Sequence, residues 1–403
     1  MNIILHKNSK LYNAAKIAIL SIAIIALMFF PLLAWLLAFL VLSVGTATLT
    51  AKSRKLYSVI AAFASALIAG SRQVFISPFD DFKSYYTLYL QFFHNNFSNF
   101  FEYHHIEIAY PVLIFLVSRL PLLFSPNLLI FFLVFFSYII FIIWIESYGL
   151  NHIDEEKKAL VVAFSLIFVN FVIASQLVRQ FISSMFLLFA FSVPNIKKYF
   201  YLIVAALFHL SALPIYLLYL FSLKKPKLSL IIVFIAAAVF VIDFQYFINL
   251  FVNIKMPIFG ASFYIAHKQY GFLSYYHNIK RTAAMILLLM LFLFFGKSAS
   301  AKQWKYFTLN MIILYFLFYT IPLASLRTTL IIGSILLGYL ISVLILPKFP
   351  KLIFYIFIAA VIFRLYEILI ILPHSASGFA LWKAYGFISK YPFYYFADKL
   401  KIL

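Results

Sequence analysis

Long apolar runs recur along the whole chain, and they constrain its fold more than any other feature. Hydrophobic residues make up 66% of the sequence and charged residues only 11%. An apolar run of about 18 residues or more is long enough to cross a bilayer as a helix. No polar stretch is long enough for a separate soluble domain. We therefore predict an all-α polytopic integral membrane protein in which residues 1–403 form a single domain.

The charge distribution fits the same fold class. The formal net charge is +21, but the basic residues are spread through short loops between apolar runs, as the positive-inside rule describes for membrane proteins. No nucleic-acid partner is expected. The absence of cysteine excludes disulfides, thiolate catalysis and Cys-ligated metals. The excess of lysine over arginine is typical of an AT-rich bacterial genome, and the location expected is a bacterial inner membrane.

Clusters of lysine predict which loops face the cytoplasm. The clusters fall at 7–16, 52–55, 157–158, 197–198, 224–227, 297–305 and 348–351. The apolar runs between them predict about 11 to 13 transmembrane or re-entrant helices. The segments expected on the external side are about 77–106, 249–280 and 372–403.

The run between Lys158 and Lys197 contains the stretch SQLVRQF, in which Arg179 is the only charge among 38 residues. At 1.5 Å per residue this run would be roughly 57 Å long, too long for one span. Two helices, 159–175 and 177–193, resolve this, and they place Arg179 at an external turn rather than in mid-membrane.

The run 199–223 also lies between basic clusters, so both of its ends are expected inside. A short re-entrant hairpin around residues 208–214, broken at Pro214, satisfies this expectation and puts His209 at the tip. Irregular backbone at such depth is tolerated where it lines a protein cavity. A hairpin broken at Pro31 is expected over 17–51, and residues 107–124 are read as either a full span or a half-helix.

An amphipathic helix is predicted near residue 82, lying on the external leaflet. Its apolar face comprises Phe82, Tyr85, Tyr86, Tyr89, Phe93 and Phe97. Asp80 or Asp81 is a candidate N-cap for it. Many of the 28 tyrosines also fall in external segments, where an aromatic belt and platforms for sugar rings are both consistent with the pattern.

Two further charged groups have simpler interpretations. The stretch EYHHIE contains metal-ligand residue types, but its spacing matches no firm zinc pattern, and we predict no metal and no cofactor. Arg364 and Glu367 are three residues apart on one helix face and are predicted to form a structural ion pair.

The stretch SQLVRQFISSMFLLFAF, followed by a lysine pair and then LIVAALFHLSALPIYLL, resembles the EpsG family of Wzy-type polysaccharide polymerases. The family shows an Arg-Gln pair opening a helix, here Arg179 and Gln180, and a later Phe-His, here ending in His209. There are also three outer matches. The family's Asp-rich external loop with tyrosines corresponds to Asp80, Asp81, Tyr85 and Tyr86. Its Glu before a Tyr that starts a helix corresponds to Glu107 and Tyr110, and its Arg in an external turn corresponds to Arg327. The residue before Tyr110 is Ala109, where the family commonly has Gly. The matches cover roughly residues 75 to 330.

This resemblance implies polymerisation of repeat units carried on undecaprenyl diphosphate, at the periplasmic face. The growing glycan would be the donor and a lipid-linked unit the acceptor, within the lipid bilayer, and a chain-length regulator is a candidate partner. Arginine binds phosphate oxygens bidentately, so Arg179 and Arg327 are expected to bind the diphosphate.

An attacking hydroxyl needs a general base, and the catalytic candidates are Glu107, Asp81 and His209. The residues expected to bind substrate are Asp80, Gln180, Tyr85, Tyr110 and Tyr270.

Three other functions fit parts of the pattern. A lipid-linked oligosaccharide flippase or transporter would usually show an internal repeat, and none is found. An O-acetyltransferase should show a His or Arg signature near the N-terminus, where only His6 stands. An O-antigen ligase shares the chemistry and would differ in its acceptor.

The predicted topology can be tested by single-cysteine labelling, because the chain has no native cysteine. We expect protection from an impermeant maleimide at the cytoplasmic positions and labelling at the external ones. The cytoplasmic positions are Lys55, Lys158, Lys198, Lys225 and Lys302, and the external ones are His94 and Lys268. Labelling at Lys225 together with protection at His94 would show that the predicted orientation and the predicted hairpin are both wrong.

Overall fold

A computed structural model describes residues 9–44, 49–72, 74, 82–97, 107–121, 123–242, 272–296, 299–319 and 322–372. The described residues form helices and connecting turns without a β-strand. The helices are α1 (Ser9–Phe29), α2 (Pro31–Val44), α3 (Ala51–Gly70), α4 (Phe82–Phe93), α5 (Ala109–Ser118), α6 (Pro126–Trp144), α7 (Glu155–Phe168), α8 (Phe171–Gln176), α9 (Val178–Ser192), α10 (Lys197–Phe208), α11 (Ala212–Lys224), α12 (Pro226–Ile242), α13 (Phe272–Phe295), α14 (Ala299–Leu317), α15 (Pro322–Leu330), α16 (Leu337–Ile345) and α17 (Pro350–Tyr366). Single π-turns Ile145–Gly149, Ile331–Ile335 and Glu367–Ile371 extend α6, α15 and α17.

Few of these helices are long and apolar enough to cross a bilayer alone. Within the described part of the chain, Pro126–Gly149 and Pro350–Ile371 meet that requirement. A third span results if Ser325–Ile335 and Leu337–Ile345, which are bent by 50° at their junction, are taken together. The prediction of an all-helical membrane protein is confirmed at this level, and the number of 11 to 13 membrane segments stays a prediction.

The remaining apolar runs are broken into short helices, and most of the expected breaks are present. The chain turns at Phe30, because α2 opens with Pro31 at its first position, where a missing N–H costs nothing. Helix α5 has only ten residues, so 107–124 contains a half-helix and not a full span. The run 199–223 is broken into α10 and α11, but the break lies at residues 209–211 and not at Pro214, which is the third residue of α11. That these two helices form a re-entrant hairpin stays a prediction.

The run 159–196 is broken twice rather than once. The expected break occurs at Leu177, between α8 and α9. A second break at Val169 and Asn170 was not predicted. There the side chain of Asn170 caps α8 by accepting hydrogen bonds from the backbone N–H groups of Val172 and Ile173, at 3.1 and 3.2 Å.

Several backbone groups exposed by this second break find partners on other helices. The Tyr138 hydroxyl donates to the carbonyl of Val169 at 2.8 Å, and Asn170 N–H donates to the carbonyl of Ser334 at 3.0 Å. The Arg364 guanidinium donates to the carbonyl of Ile167 at 3.0 Å. Irregular backbone in apolar surroundings requires such partners, and here α6, the π-turn after α15, and α17 supply them.

Arg364 and Glu367 form the predicted ion pair, with Arg364 Nη1 2.7 Å from Glu367 Oε2. The pair has a third member that was not predicted. Lys280 of α13 also binds the Glu367 carboxylate. Helix α13 begins at Phe272, so it extends nine residues into the segment 249–280 that was expected to be an external loop.

The aromatic face of α4 packs against protein, which corrects the prediction of a helix lying on the lipid leaflet. Tyr85 is 3% exposed and Phe82, Tyr89 and Phe92 are fully buried. Phe92 and Leu88 replace Phe93 and Phe97 on this face. The Tyr89 hydroxyl accepts a hydrogen bond from the backbone N–H of Phe124 at 2.8 Å. Helix α4 also packs against α5.

At the predicted cytoplasmic end, a buried ion pair joins α3 to the π-turn after α6. Arg54 is 4% exposed, and its Nε and Nη2 donate to the two carboxylate oxygens of Glu146, each at 2.8 Å. This is the planar two-bond geometry that favours arginine over lysine. Arg54 Nη1 also reaches Glu155 at 3.0 Å, at the first residue of α7.

Close backbone approach joins α7 and α16. A Cβ added at Gly338 would lie 2.2 Å from the carbonyl oxygen of Phe164, so only glycine permits this contact. Small residues at helix contacts are typical of membrane helix packing. By contrast, a Cβ added at Gly333 would meet only the Cε of Met285, at 3.0 Å, the far end of a flexible side chain.

We expect Gly338→Ala to destabilise the protein by about 1–3 kcal/mol, because the helices must separate. Gly333→Ala is the matched control and should lose less stability, because the Met285 side chain can move aside. Thermal unfolding of both purified variants, followed by tryptophan fluorescence, measures the difference. Equal melting temperatures for Gly338→Ala and the parent protein would show that α7 and α16 do not pack this closely.

Candidate functional site

The short helices bring several polar side chains to one place. Helix α9 begins beside the turn between α10 and α11, and α5 begins close to both. Glu107 lies just before α5, Arg179 is the second residue of α9, and His209 stands at the first residue of the α10–α11 turn. All three side chains are partly buried, with 14%, 22% and 21% exposure respectively.

Glu107 joins these segments through its two carboxylate oxygens. Oε2 forms an ion pair with Nη1 of Arg179. Oε1 accepts a hydrogen bond from the backbone N–H of Leu210 at 3.0 Å. The N–H of Leu210 lies in the break between α10 and α11, where the helix supplies no partner, so the carboxylate satisfies a backbone group that would otherwise be costly to bury.

Arg179 is oriented by aromatic side chains as well as by Glu107. Its Nε donates to the Tyr85 hydroxyl at 3.2 Å, and its Cζ lies 5.7 Å from the centre of the Tyr85 ring. The Tyr85 ring in turn contacts the Tyr110 ring, with centroids 4.7 Å apart. Tyr110 is fully buried. The two tyrosines therefore fix the guanidinium plane from α4 and α5.

His209 is held in the neutral form. Its Nδ1 accepts a hydrogen bond from the backbone N–H of Ser211 at 3.2 Å and lies 3.9 Å from Glu107 Oε1. Arg179 and Arg327 both lie near this ring. The neutral ring with an acceptor at Nδ1 carries its proton on Nε2.

The turn itself is held against α9. The Ser183 hydroxyl lies 2.7 Å from the carbonyl of Ala205 and 3.4 Å from that of His209. Phe186 and Phe208 stack with ring centroids 5.6 Å apart. These contacts satisfy carbonyls at the end of α10 and fix where His209 stands.

Gln180 faces a different neighbour from Arg179. Its Nε2 donates to the backbone carbonyl of Arg327 at 2.6 Å, and its side chain is 4% exposed. Adjacent residues on a helix point about 100° apart, so one side chain of the Arg-Gln pair contacts Tyr85 of α4 and Glu107, and the other contacts α15. Arg327 lies within α15, more than a turn after Pro322, which corrects its predicted place in the connecting turn.

Most of the residues predicted from sequence thus come together. The structure places Glu107, Arg179, His209, Tyr85, Tyr110, Gln180 and Arg327 in one cluster. Asp80, Asp81 and Tyr270 lie outside the described residues. Tyr85, Tyr110 and Gln180 are almost completely buried, so their role is to position other groups. The two tyrosines orient Arg179, and Gln180 orients α15.

Arg72 was not predicted, and it lies next to this cluster. It is 1% exposed, its Nη2 donates to the carbonyl of Ser175 at 3.2 Å, and its Cζ lies 5.4 Å from the Phe82 ring centre. Asn127 holds the backbone carbonyl of Arg72 at 2.9 Å. Arg72 therefore joins the end of α8 to the start of α4. The sequence signal that could have identified Arg72 is its position directly after the apolar run of α3.

The arrangement combines anion binding with proton acceptance. Two arginines, a carboxylate and a neutral imidazole are held by buried neighbours at a point where three helix breaks meet. Arginine supplies donors in a fixed fork suited to phosphate oxygens, and carboxylates and imidazoles are the usual general bases.

A comparison of the sequence with protein families finds a match to the EpsG family over residues 55–383. This range contains every residue of the cluster. No curated protein and no solved structure matches the chain.

The protonation state of His209 gives a test of the site. Because Nδ1 of His209 accepts a hydrogen bond from the Ser211 N–H, we expect the ring to stay neutral between pH 8 and pH 5, with the proton on Nε2. Nitrogen NMR of histidine-labelled protein measures both, and His209→Gln identifies the resonance by its loss. A folded state that does not take up this proton loses stability relative to the unfolded chain as pH falls below about 6.5. Titration of the assigned signal near pH 6.5 would contradict the buried, cation-flanked geometry.

Proposed function

The chain belongs to the EpsG family, and we propose that it is a polymerase that joins undecaprenyl-diphosphate-linked oligosaccharide units at the external face of a bacterial cytoplasmic membrane. The observation that carries this proposal is the convergence of Arg179, Glu107 and His209 from three separate helix breaks. Such a site suits a reaction in which a diphosphate leaves and a hydroxyl attacks.

In the proposed reaction, a hydroxyl of the incoming unit attacks the anomeric carbon of the growing glycan. The bond from that carbon to the diphosphate oxygen breaks, and a glycosidic bond forms. The hydroxyl proton passes to a base of the protein, and undecaprenyl diphosphate leaves with the electron pair. No nucleotide sugar and no cofactor takes part.

Arg179 and Arg327 would bind the diphosphate and stabilise the negative charge that develops on it. Such preorganised charge is often the largest contribution to catalysis. Both arginines lie near His209. The carbonyl of Arg327 is fixed by Gln180, which ties the second arginine to the helix that carries the first.

Glu107 is the base that the geometry favours. In the structure its carboxylate is bound to Arg179 and to the N–H of Leu210. Diphosphate oxygens would compete with Glu107 for Arg179, so donor binding would free one carboxylate oxygen to accept the hydroxyl proton. His209, neutral and 3.9 Å away, would share that proton or bind the acceptor hydroxyl. Asp81 stays a candidate base.

The remaining roles follow from position. Tyr85 and Tyr110 would hold Arg179 in place rather than contact sugar, because both are buried. Asp80 and Tyr270 stay predicted substrate contacts. A chain-length regulator stays a predicted partner of the whole protein. An O-antigen ligase would use the same cluster with a different acceptor, and the products separate the two activities.

Arg179→Lys tests the role of the guanidinium. Lysine keeps the charge but loses the planar fork, and it cannot reach Tyr85 and a diphosphate together. We expect normal accumulation, with polymerisation slowed about a hundredfold, corresponding to roughly 3 kcal/mol of transition-state stabilisation. The measurement is a gel of surface polysaccharide from a deletion strain complemented with the variant, which should show single lipid-linked units and no long chains.

Arg119→Lys is the matched control. Arg119 binds Asn95 at 2.7 Å and stacks on Phe115 at 4.7 Å, so it is an ordered arginine outside the cluster. It should leave the polymer ladder unchanged. A full ladder from Arg179→Lys would reject the diphosphate clamp, and a full ladder from Arg179→Ala would remove Arg179 from the mechanism. Single units transferred to a lipid A core would identify a ligase.

A further inference from the structure

A second group of cations lies on α13 and α17, outside the cluster already described. Lys280 and Arg281 are consecutive on α13, and Arg364 stands on α17. Among the described residues, Glu367 is the carboxylate that pairs with this group, binding both Lys280 and Arg364. Three cations therefore face one acid.

The members differ in how completely they are engaged. Arg364 donates to the carbonyl of Ile167 and to Glu367, and it is 8% exposed, so it is a structural residue. Lys280 is 32% exposed and lies 4.9 Å from the Phe363 ring centre. Arg281 is partly exposed. The ion pairs among the described residues of this group join Glu367 to Lys280 and to Arg364 and do not include Arg281. Lys280 and Arg281 thus supply accessible positive charge in excess.

This basic pair lies at the same end of the molecule as Arg327. Helix α13 packs on α14, and α14 packs on α15. The Thr282 and Tyr315 hydroxyls lie 2.8 Å apart, each more than ten residues from the connection between α13 and α14, so these two helices are antiparallel. The short connection between α14 and α15 is also typical of antiparallel neighbours, so α13 and α15 run in the same direction. A Cβ on Gly333 would touch Met285, which brings these two positions level. Arg281 precedes Met285 by roughly 6 Å and Arg327 precedes Gly333 by roughly 9 Å, at 1.5 Å per residue. The two arginines therefore stand at similar depth on neighbouring helices.

Basic residues at this end oppose the positive-inside rule. By the predicted topology, α13 enters the membrane from outside, where lysine and arginine are depleted. A basic pair at the start of its apolar run, Ala283 to Phe295, therefore needs a reason other than topology. Ionisable residues at such positions mark binding sites by default.

We propose that Lys280 and Arg281 form a second site for a lipid-borne diphosphate. The proposal rests on the proposed function, because a polymerase of lipid-linked units must hold two such lipids at once. The Arg179 cluster would bind the donor, whose diphosphate leaves. The α13 site would hold the diphosphate of the acceptor, which stays intact, so it needs charge but no base. Glu367 would balance Lys280 until the lipid binds.

Binding stoichiometry tests the proposal, with farnesyl diphosphate as the probe and native mass spectrometry of the purified full chain as the measurement. We expect two molecules bound to the parent protein and one to Arg281→Gln or to Lys280→Gln. Arg179→Gln should also retain one, and Arg179→Gln combined with Arg281→Gln should retain none. Lys348→Gln is the matched control. Lys348 lies 5.1 Å from the ring centre of Phe295 at the opposite end of α13, and its loss should leave two.

Glu367→Gln is expected to tighten ligand binding, whereas the variants above are expected to lose it. If Glu367 competes with the ligand, its removal should tighten binding at the second site by at least about tenfold, the factor for one charge-assisted hydrogen bond. A purely structural ion pair predicts a lower melting temperature and no tighter binding.

The outcomes separate this proposal from the function on which it rests. The second site would be overturned, and the first left intact, by either of two results. In one, Arg281→Gln still binds two molecules. In the other, the parent protein binds only one molecule, and Arg179→Gln loses it. Binding that is unchanged in Arg179→Gln would overturn the proposed function. Displacement of the Arg281-dependent molecule by phosphatidylglycerol at equal concentration would identify an ordinary phospholipid site. Displacement by inorganic pyrophosphate alone would show that no lipid is needed.

Discussion

The carboxylate of Glu107 is the contact on which the arrangement of the site depends. One oxygen binds Arg179 and the other binds the backbone N–H of Leu210, so a single side chain fixes the start of α9 against the α10–α11 turn. The underlying constraint is that a break in an apolar helix leaves backbone groups without partners, and these are costly to bury. In this chain, polar and charged side chains satisfy the breaks, and the active-site candidates are among them.

Three arginines of the described chain differ in the groups that they contact. Arg364 donates to the carbonyl at the end of α7, and Arg72 to a carbonyl at the end of α8. Both are almost fully buried, as expected for residues that stabilise helix ends. Arg179 contacts side chains instead, a tyrosine hydroxyl and a carboxylate, and it keeps a fifth of its surface exposed. A side-chain partner can be exchanged for a ligand far more easily than a helix carbonyl can.

Length and charge were sufficient to predict several features of the fold. The break at Leu177 followed from a run too long for one span, and a break within 199–223 followed from lysines at both ends. The break at Val169 and Asn170 could not be found in this way, because no proline, glycine or charge marks it. Its partners, Tyr138, Ser334 and Arg364, are distant in sequence. The buried face of α4 was misassigned because an aromatic stripe fits lipid and protein equally well.

The cluster was predicted less from physical rules than from the resemblance, and the structure supplies the reason that the Arg-Gln pair is informative. Consecutive helical residues cannot face the same neighbour. Arg179 therefore turns toward Glu107 and Gln180 toward α15. The pair stands where the two halves of the chain meet, with Tyr85 and Glu107 before it and His209 and Arg327 after it. These two consecutive residues therefore join segments from both halves of the chain at the start of one helix.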